Sequence, residues 1–323
     1  MSLPPLLRDN LSLPVIGSPM FIVSNPDLVI EQCKAGIVGS FPALNARPQA
    51  ALEEWLQRIT TELAQFRQAH PQRKVAPFAV NQIVHGSNSR LQHDMDLCVK
   101  YRVPVLITSL RAPDQVVEAA HSYGGLVFHD VTTIQHAKRA LKAGVDGLIL
   151  VCTGAGGHAG KLSPFALVPE VRSFYDGTII LSGAIAGGDA ILAAQAVGAD
   201  LAYIGTRFIA TREANAPAAY KQMLVDSAAE DIVYTSRFSG VHGNYLRSSI
   251  VAVGMDPDNL PEGDKSSMDF GTAAEDKGAV KAWRDVWSAG QGTGQIREVL
   301  PTAELVAKLV REYQAARARV LAA

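Results

Sequence analysis

Eight short apolar runs, each followed by a turn and a segment of helical period, constrain this chain more than any other feature. The runs lie at 14–17, 36–39, 78–81, 104–107, 125–128, 147–151, 178–181 and 201–204. They are nearly continuous in apolar character rather than alternating, which is the pattern of parallel strands covered on both faces. Between them, Leu52, Trp55, Leu56, Ile59, Leu63 and Phe66 recur at three- and four-residue steps and form one apolar stripe. Asn25 and Pro26 supply a polar N-cap and a first-turn proline for another helix. Ile134, Ala137 and Leu141 share a third helical face. Gly144 and Gly198 stand in two near-identical turns, each placed to stop a helix before the next strand. The expected fold is a closed (β/α)8 TIM barrel, and a doubly wound open sheet is its competitor.

After residue 228 the rhythm breaks, and the stretch 254–279 is rich in Gly, Asp, Pro, Ser and Lys. The expected organisation is therefore a barrel over 1–228, a smaller and mainly helical cap over 229–295 inserted after the eighth strand, and a C-terminal segment, 296–323, returning to the barrel. In that last segment Leu305, Leu309 and Tyr313 give the helix over 302–319 its apolar face.

Composition serves to exclude. With 48% hydrophobic and 19% charged residues over 323 positions, the chain is neither disordered nor low in complexity. A formal net charge of −1 gives no electrostatic case for nucleic acid or an anionic membrane as partner. No apolar run approaches the length of a membrane span, and the N-terminus lacks the pattern of a signal peptide, so a cytoplasmic protein is expected. Cys33, Cys98 and Cys152 are odd in number and far apart, which fits neither a disulfide framework nor a zinc ribbon, and the histidines show no ligand spacing. No metal site is expected.

In a barrel of this kind the reactive groups gather at the C-terminal ends of the strands. The loops after the seventh and eighth runs contain Ser182, Gly183 and Ala184, then Gly205 and Thr206. Glycines there let the backbone approach an anion, and the two hydroxyls add donors, so a phosphate site is plausible. Plain turn chemistry is the bland alternative. The loop after the sixth run, 154–160, surrounds His158 with four glycines and two alanines. Such a loop can lie against a flat ligand and present one imidazole as donor, acceptor or general base. His129 and Asp130 end the fifth run as a possible polar pair, although Asp130 is better read as the cap of the next helix. Cys152 reads as a small hydrophobe rather than a nucleophile. The one lysine near a strand end, Lys161, lies past the glycine loop, which speaks against Schiff-base chemistry.

Taken together, these segments resemble the nitronate monooxygenase family, formerly called 2-nitropropane dioxygenases. The likeness rests on Gly154 to Gly160, on Ser182-Gly183-Ala184, and on the run from Ile204 to Phe208. It extends to Pro14 through Met20, Phe78 through Asn81, and Trp287 through Gly292. The resemblance implies an oxidoreductase with FMN at the barrel mouth, which oxidises small alkyl nitronates with O2. In that reading the FMN phosphate lies on Gly183, Ala184, Gly205 and Thr206, assisted by Ser182. Ser18 and Met20 border the ring system, Asn81 bonds its polar edge, Ala155 and Gly156 approach it, and His158 is the catalytic residue. Two departures stand out: Ala184 where many relatives have glycine, and Asp130 where some have lysine. NAD(P)H-dependent reductases of quinones or enoyl thioesters share the scaffold and are the alternative. A flavin-free phosphate-binding barrel is the third reading.

Overall fold

The computed structural model describes residues 3–264 and 283–322. Eight parallel strands form one sheet: β1 (Val15–Gly17), β2 (Gly39–Pro42), β3 (Phe78–Val84), β4 (Val105–Leu110), β5 (Leu126–Val131), β6 (Gly147–Val151), β8 (Thr178–Ser182) and β9 (Leu201–Ile204). The short β7 (Gly157–His158) belongs to a second sheet. Strand order in the large sheet is β1-β9-β8-β6-β5-β4-β3-β2. Its two ends meet through a parallel bridge between Ile16 and Val38, where Gly17 N donates to Val38 O at 2.8 Å. This seam makes the sheet a barrel and disposes of the open-sheet competitor.

Alternation along each strand sorts side chains into two layers. Ile16, Ala79, Ile107, Phe128, Ile149, Ile180 and Tyr203 fill the barrel interior. Their neighbours Val15, Val80, Leu106, Val127, Leu148, Ile179 and Ala202 face the helices. The second strand begins later than its apolar run suggests, at Gly39, and continues through Ser40 and Phe41 to Pro42. Buried Ser40 tolerates that place because its hydroxyl donates to Gly17 O.

The helices form where their caps and stripes demand. Asn25 accepts from Leu28 N at 2.9 Å at the head of helix Pro26–Lys34, and Leu52, Leu56, Ile59 and Leu63 are buried along Ala51–Ala69. Gly144 (φ +85°) and Gly198 (φ +113°) take the left-handed conformation that ends their helices. The C-terminal helix, Thr302–Leu321, packs on Gly188–Ala196 so closely that a Cβ at Gly188 would lie 2.1 Å from Tyr313 N.

The segment 229–295, expected as a mainly helical cap, contains strands as well as helical turns among its described residues. Its described residues contain β10 (Ile232–Thr235), β11 (Gly243–Leu246) and the six-residue helix Arg247–Ala252, while 265–282 lie outside the described residues. The β-branched and aromatic run Ile232-Val233-Tyr234-Thr235 suits a pleated surface and supplies the reason. β10, β11 and β7 form an antiparallel sheet, with Gly243 opposite His158. The segment is thereby joined to the loop after β6.

Candidate active site

Three strand ends turn polar side chains into the barrel mouth. Asn81 of β3 and Ser109 of β4 share the inward face of Ala79 and Ile107, and Asp130 of β5 follows inward Phe128. They are linked in series. Asn81 Nδ2 donates to Ile107 O (3.2 Å) and to Ser109 Oγ (3.0 Å), and Ser109 Oγ donates to Asp130 Oδ2 (2.6 Å). Asp130 Oδ1 is buried without a hydrogen-bond partner. Burial pushes the Asp130 carboxyl up to about 6, against a smaller downward pull from Ser109.

Asp130 is therefore not the helix cap. Thr133 caps Ile134–Lys142, accepting from His136 N at 3.2 Å, three residues farther on than expected. Nor do His129 and Asp130 form a pair. Strand alternation turns His129 to the helix layer, where Nδ1 meets Thr108 Oγ1 at 2.8 Å and burial lowers the imidazole to about 4. Cys152 is buried and its thiol is pushed up to about 12 by desolvation, which removes the thiolate a nucleophile would need.

The loops after β6, β8 and β9 converge on a fourth segment, 287–292. Gly154 O accepts from Gln291 N (2.9 Å) and Ala184 N (3.2 Å), and Gly290 N donates to Thr206 Oγ1 (2.8 Å). A Cβ on Gly290 would stand 2.6 Å from Gly154 O, and one on Gly156 would stand 2.9 Å from Gly290 N and 3.0 Å from Thr206 Oγ1. Only glycine fits such backbone-to-backbone packing. Nearby, a Cβ on Gly205 would meet Ser18 Oγ at 2.5 Å and Met20 Sδ at 3.5 Å. Ser18 and Met20 thus lie against Gly205, Gly156 lies against Thr206, and Ala184 lies against Gly154; Ala155 is buried, its carbonyl held by Asn244 Nδ2 at 2.6 Å.

Two phosphate-loop details differ. A side chain at Gly183 (φ +141°) would run into Thr153 O at 2.6 Å, so this glycine serves the turn itself. The head of helix Gly188–Ala196, a natural anion site, already holds Glu312, whose Oε2 accepts from Gly188 N at 3.0 Å. Thr206 accepts from Gly290 and retains its own hydroxyl proton to donate. Ala184 sits at φ +54°, a left-handed position that costs a Cβ-bearing residue about 1 kcal/mol. Ala184→Gly is expected to raise stability by up to about 1 kcal/mol, measured as the urea midpoint; a lower midpoint would contradict strain there.

His158 stands on β7. Its Nε2 lies 2.8 Å from Ser239 Oγ, and Ser239 Oγ donates onward to Val241 O at 3.0 Å. With the serine proton committed, Nε2 carries the imidazole proton and Nδ1 keeps its lone pair. Burial lowers the ring to about 4, so it is neutral near pH 7. Trp283 packs edge-on at 5.3 Å from His158 and lies 6.1 Å from Phe21. Ser109 stands out in the sequence only as part of the polar end of the fourth run, and Ser239, Trp283 and Asn244 do not stand out at all, because a lone serine, asparagine or tryptophan carries no spacing signal. Gly290 stood inside a recognised motif without an assigned role. Among the described residues no three His, Cys, Asp or Glu side chains group to hold a metal ion, and no helix is long and apolar enough to cross a membrane.

The model of the family described as nitronate monooxygenase matches residues 6–312. The chain is 27% identical to a nitronate monooxygenase of Paraburkholderia phytofirmans, over 93% of this chain and 92% of that one. It is 25% identical to a 5-hydroxy-7a-methyl-1-oxo-octahydro-1H-indene-4-carboxyl-CoA dehydrogenase of Rhodococcus jostii, over 74% of this chain and 64% of that protein's length. Among solved structures, FabK from Thermotoga maritima superposes with a TM-score of 0.74 at 22% identity, covering 98% of this chain and 97% of the other; at that identity the likeness concerns the fold.

Proposed function

The chain belongs to the nitronate monooxygenase family, and from that premise we propose that it is an FMN-dependent enzyme oxidising small alkyl nitronates with O2 to a carbonyl compound and nitrite. Two nitronates and one O2 balance two carbonyls and two nitrites. The chain is an oxidoreductase of a flavoenzyme family; FMN in particular, the nitronate substrate and the residue roles are our reading. One observation at the mouth supports a flavin: Asp130 Oδ1 is buried and unpartnered, on a carboxyl that shares Ser109 Oγ with the Asn81 amide.

In this reading Ser182, Gly183, Ala184, Gly205 and Thr206 hold the phosphate. Ser18, Met20, Ala155 and Gly156 border the ring system, and Asn81 orients its polar edge. Bound FMN would supply the electron acceptance and the reaction with O2, and the protein supplies position and proton control. The observation that carries the proposal is the state of His158: neutral, its tautomer set by Ser239, with Nδ1 left as a base. Such a group can take the α-proton of a nitroalkane and so form the nitronate in place. A neutral imidazole cannot act as a cationic clamp for the nitro group near pH 7, which favours the base over the clamp. Trp283, packed edge-on to the ring, shields that side of it from water.

The alternative, an NAD(P)H-dependent reductase of quinones or enoyl thioesters, draws support from the likeness to a CoA-thioester dehydrogenase. Absorbance of the purified protein, followed anaerobically after propionate 3-nitronate and separately after NADH, discriminates the readings. Bleaching of a flavin spectrum by the nitronate and not by NADH is expected. Bleaching by NADH alone would replace the proposal with the reductase, and a protein that stays colourless after reconstitution with FMN would leave only the barrel.

A further inference from the structure

The polar series at the mouth has a direction. Asn81 spends both amide protons on Ile107 O and Ser109 Oγ, which leaves its carbonyl oxygen to offer. Ser109 spends its one proton on Asp130 Oδ2. Asp130 Oδ1 then ends the series, buried and without a partner. Two other strands supply its neighbours: Ser109 on β4, bonded to Oδ2, and Tyr203 on β9, whose phenol is raised well above its usual range by burial and by the nearby Asp130. On β5 itself, His129 faces the other way and is neutral above about 4. Among the described residues no lysine, arginine or histidine is ion-paired with Asp130.

A carboxylate in that place would keep one hydrogen bond and carry its charge out of water with no cation beside it, which is unfavourable. A carboxylic acid keeps the bond from Ser109 to Oδ2 and bears its proton on Oδ1, pointing where no protein acceptor stands. We propose that Asp130 works as a neutral acid and that its Oδ1 proton, with the carbonyl oxygen of Asn81 to which it is linked through Ser109, forms a donor–acceptor pair that reads the imide edge of the flavin, an N–H flanked by carbonyl oxygens. This rests on the reading that a flavin occupies the mouth. The upward shift of the carboxyl to about 6 accords with it and fixes the sign. Below that pH the donor is in place. Above it each bound flavin must bring a proton back, so affinity weakens by about tenfold per pH unit.

The test is titration of FMN into the apoprotein between pH 5 and 8.5, read by flavin fluorescence, for wild type, Asp130→Asn and Asp130→Ala. The phosphate of FMN titrates in the same range, so the readout is the ratio of wild-type to Asp130→Asn dissociation constants at each pH, in which that contribution cancels. The asparagine amide donates at every pH. The ratio is expected to be flat at the acid end and to rise by about tenfold per unit above pH 6, with Asp130→Ala at least tenfold weaker than Asp130→Asn throughout. A ratio independent of pH, or equal binding by the Asn and Ala variants, would overturn the proposal while leaving the flavin reading intact. Failure of the wild type to bind FMN at any pH would overturn both.

Discussion

Replacing His158 with alanine is expected to lower turnover of a nitroalkane roughly 10²–10⁴-fold, the range for loss of a positioned general base, while FMN stays bound. The size follows from the proposed role: with Nδ1 as the base, Ser239 and Trp283 hold the ring without being able to take the proton themselves. Flavin retention follows from position, because His158 is held on β7 by the small sheet and not in the turns after β8 and β9. The wild-type pH profile has a defined sign. The imidazole is depressed to about 4 by burial, so nitroalkane turnover should be insensitive to this group from about pH 5 upward and fall as pH drops through 4. Steady-state rates and the 450 nm flavin band of the variant are the measurements. Unchanged turnover of both nitroalkane and nitronate would remove His158 from the chemistry.

Gly183→Val is expected to have the largest structural effect, on the order of 3–5 kcal/mol, together with loss of bound FMN. At φ +141° the backbone suits glycine alone, and the new Cβ would lie 2.6 Å from Thr153 O and 3.4 Å from Cys152 Cβ. The side chain would press the turn after β8 away from the loop after β6, breaking the contact of Ala184 N with Gly154 O. FMN would then be lost because its cradle has moved, not because valine fills the phosphate position. Thermal unfolding and flavin content after gel filtration separate the two: a stable protein with full flavin occupancy would refute this role for the turn.

Much of the barrel was legible because its signals are local. Continuous apolar runs, the Asn25 cap and the glycine stops at 144 and 198 act within a few residues; the cap and the stops appear where their spacing demands, and of the strands only the second is displaced along the chain, to Gly39–Pro42. The glycine-rich turns were legible as well, since a residue without Cβ marks close backbone approach wherever it falls. The run Ile232–Thr235 was the missed local signal: it is short, and lies in a stretch whose rhythm had already broken.

What the sequence determined alone is the order of strands and helices in the barrel and the family motifs at the strand ends. Tertiary structure decided which face each end residue shows. Strand alternation sends Asp130 into the mouth and His129 into the helix layer, a difference of one position that no composition reveals. It also decided the protonation of the site, because burial depends on what the remote segment around Ser239 and Trp283 covers, and that segment reaches His158 only once β7 and β11 have paired.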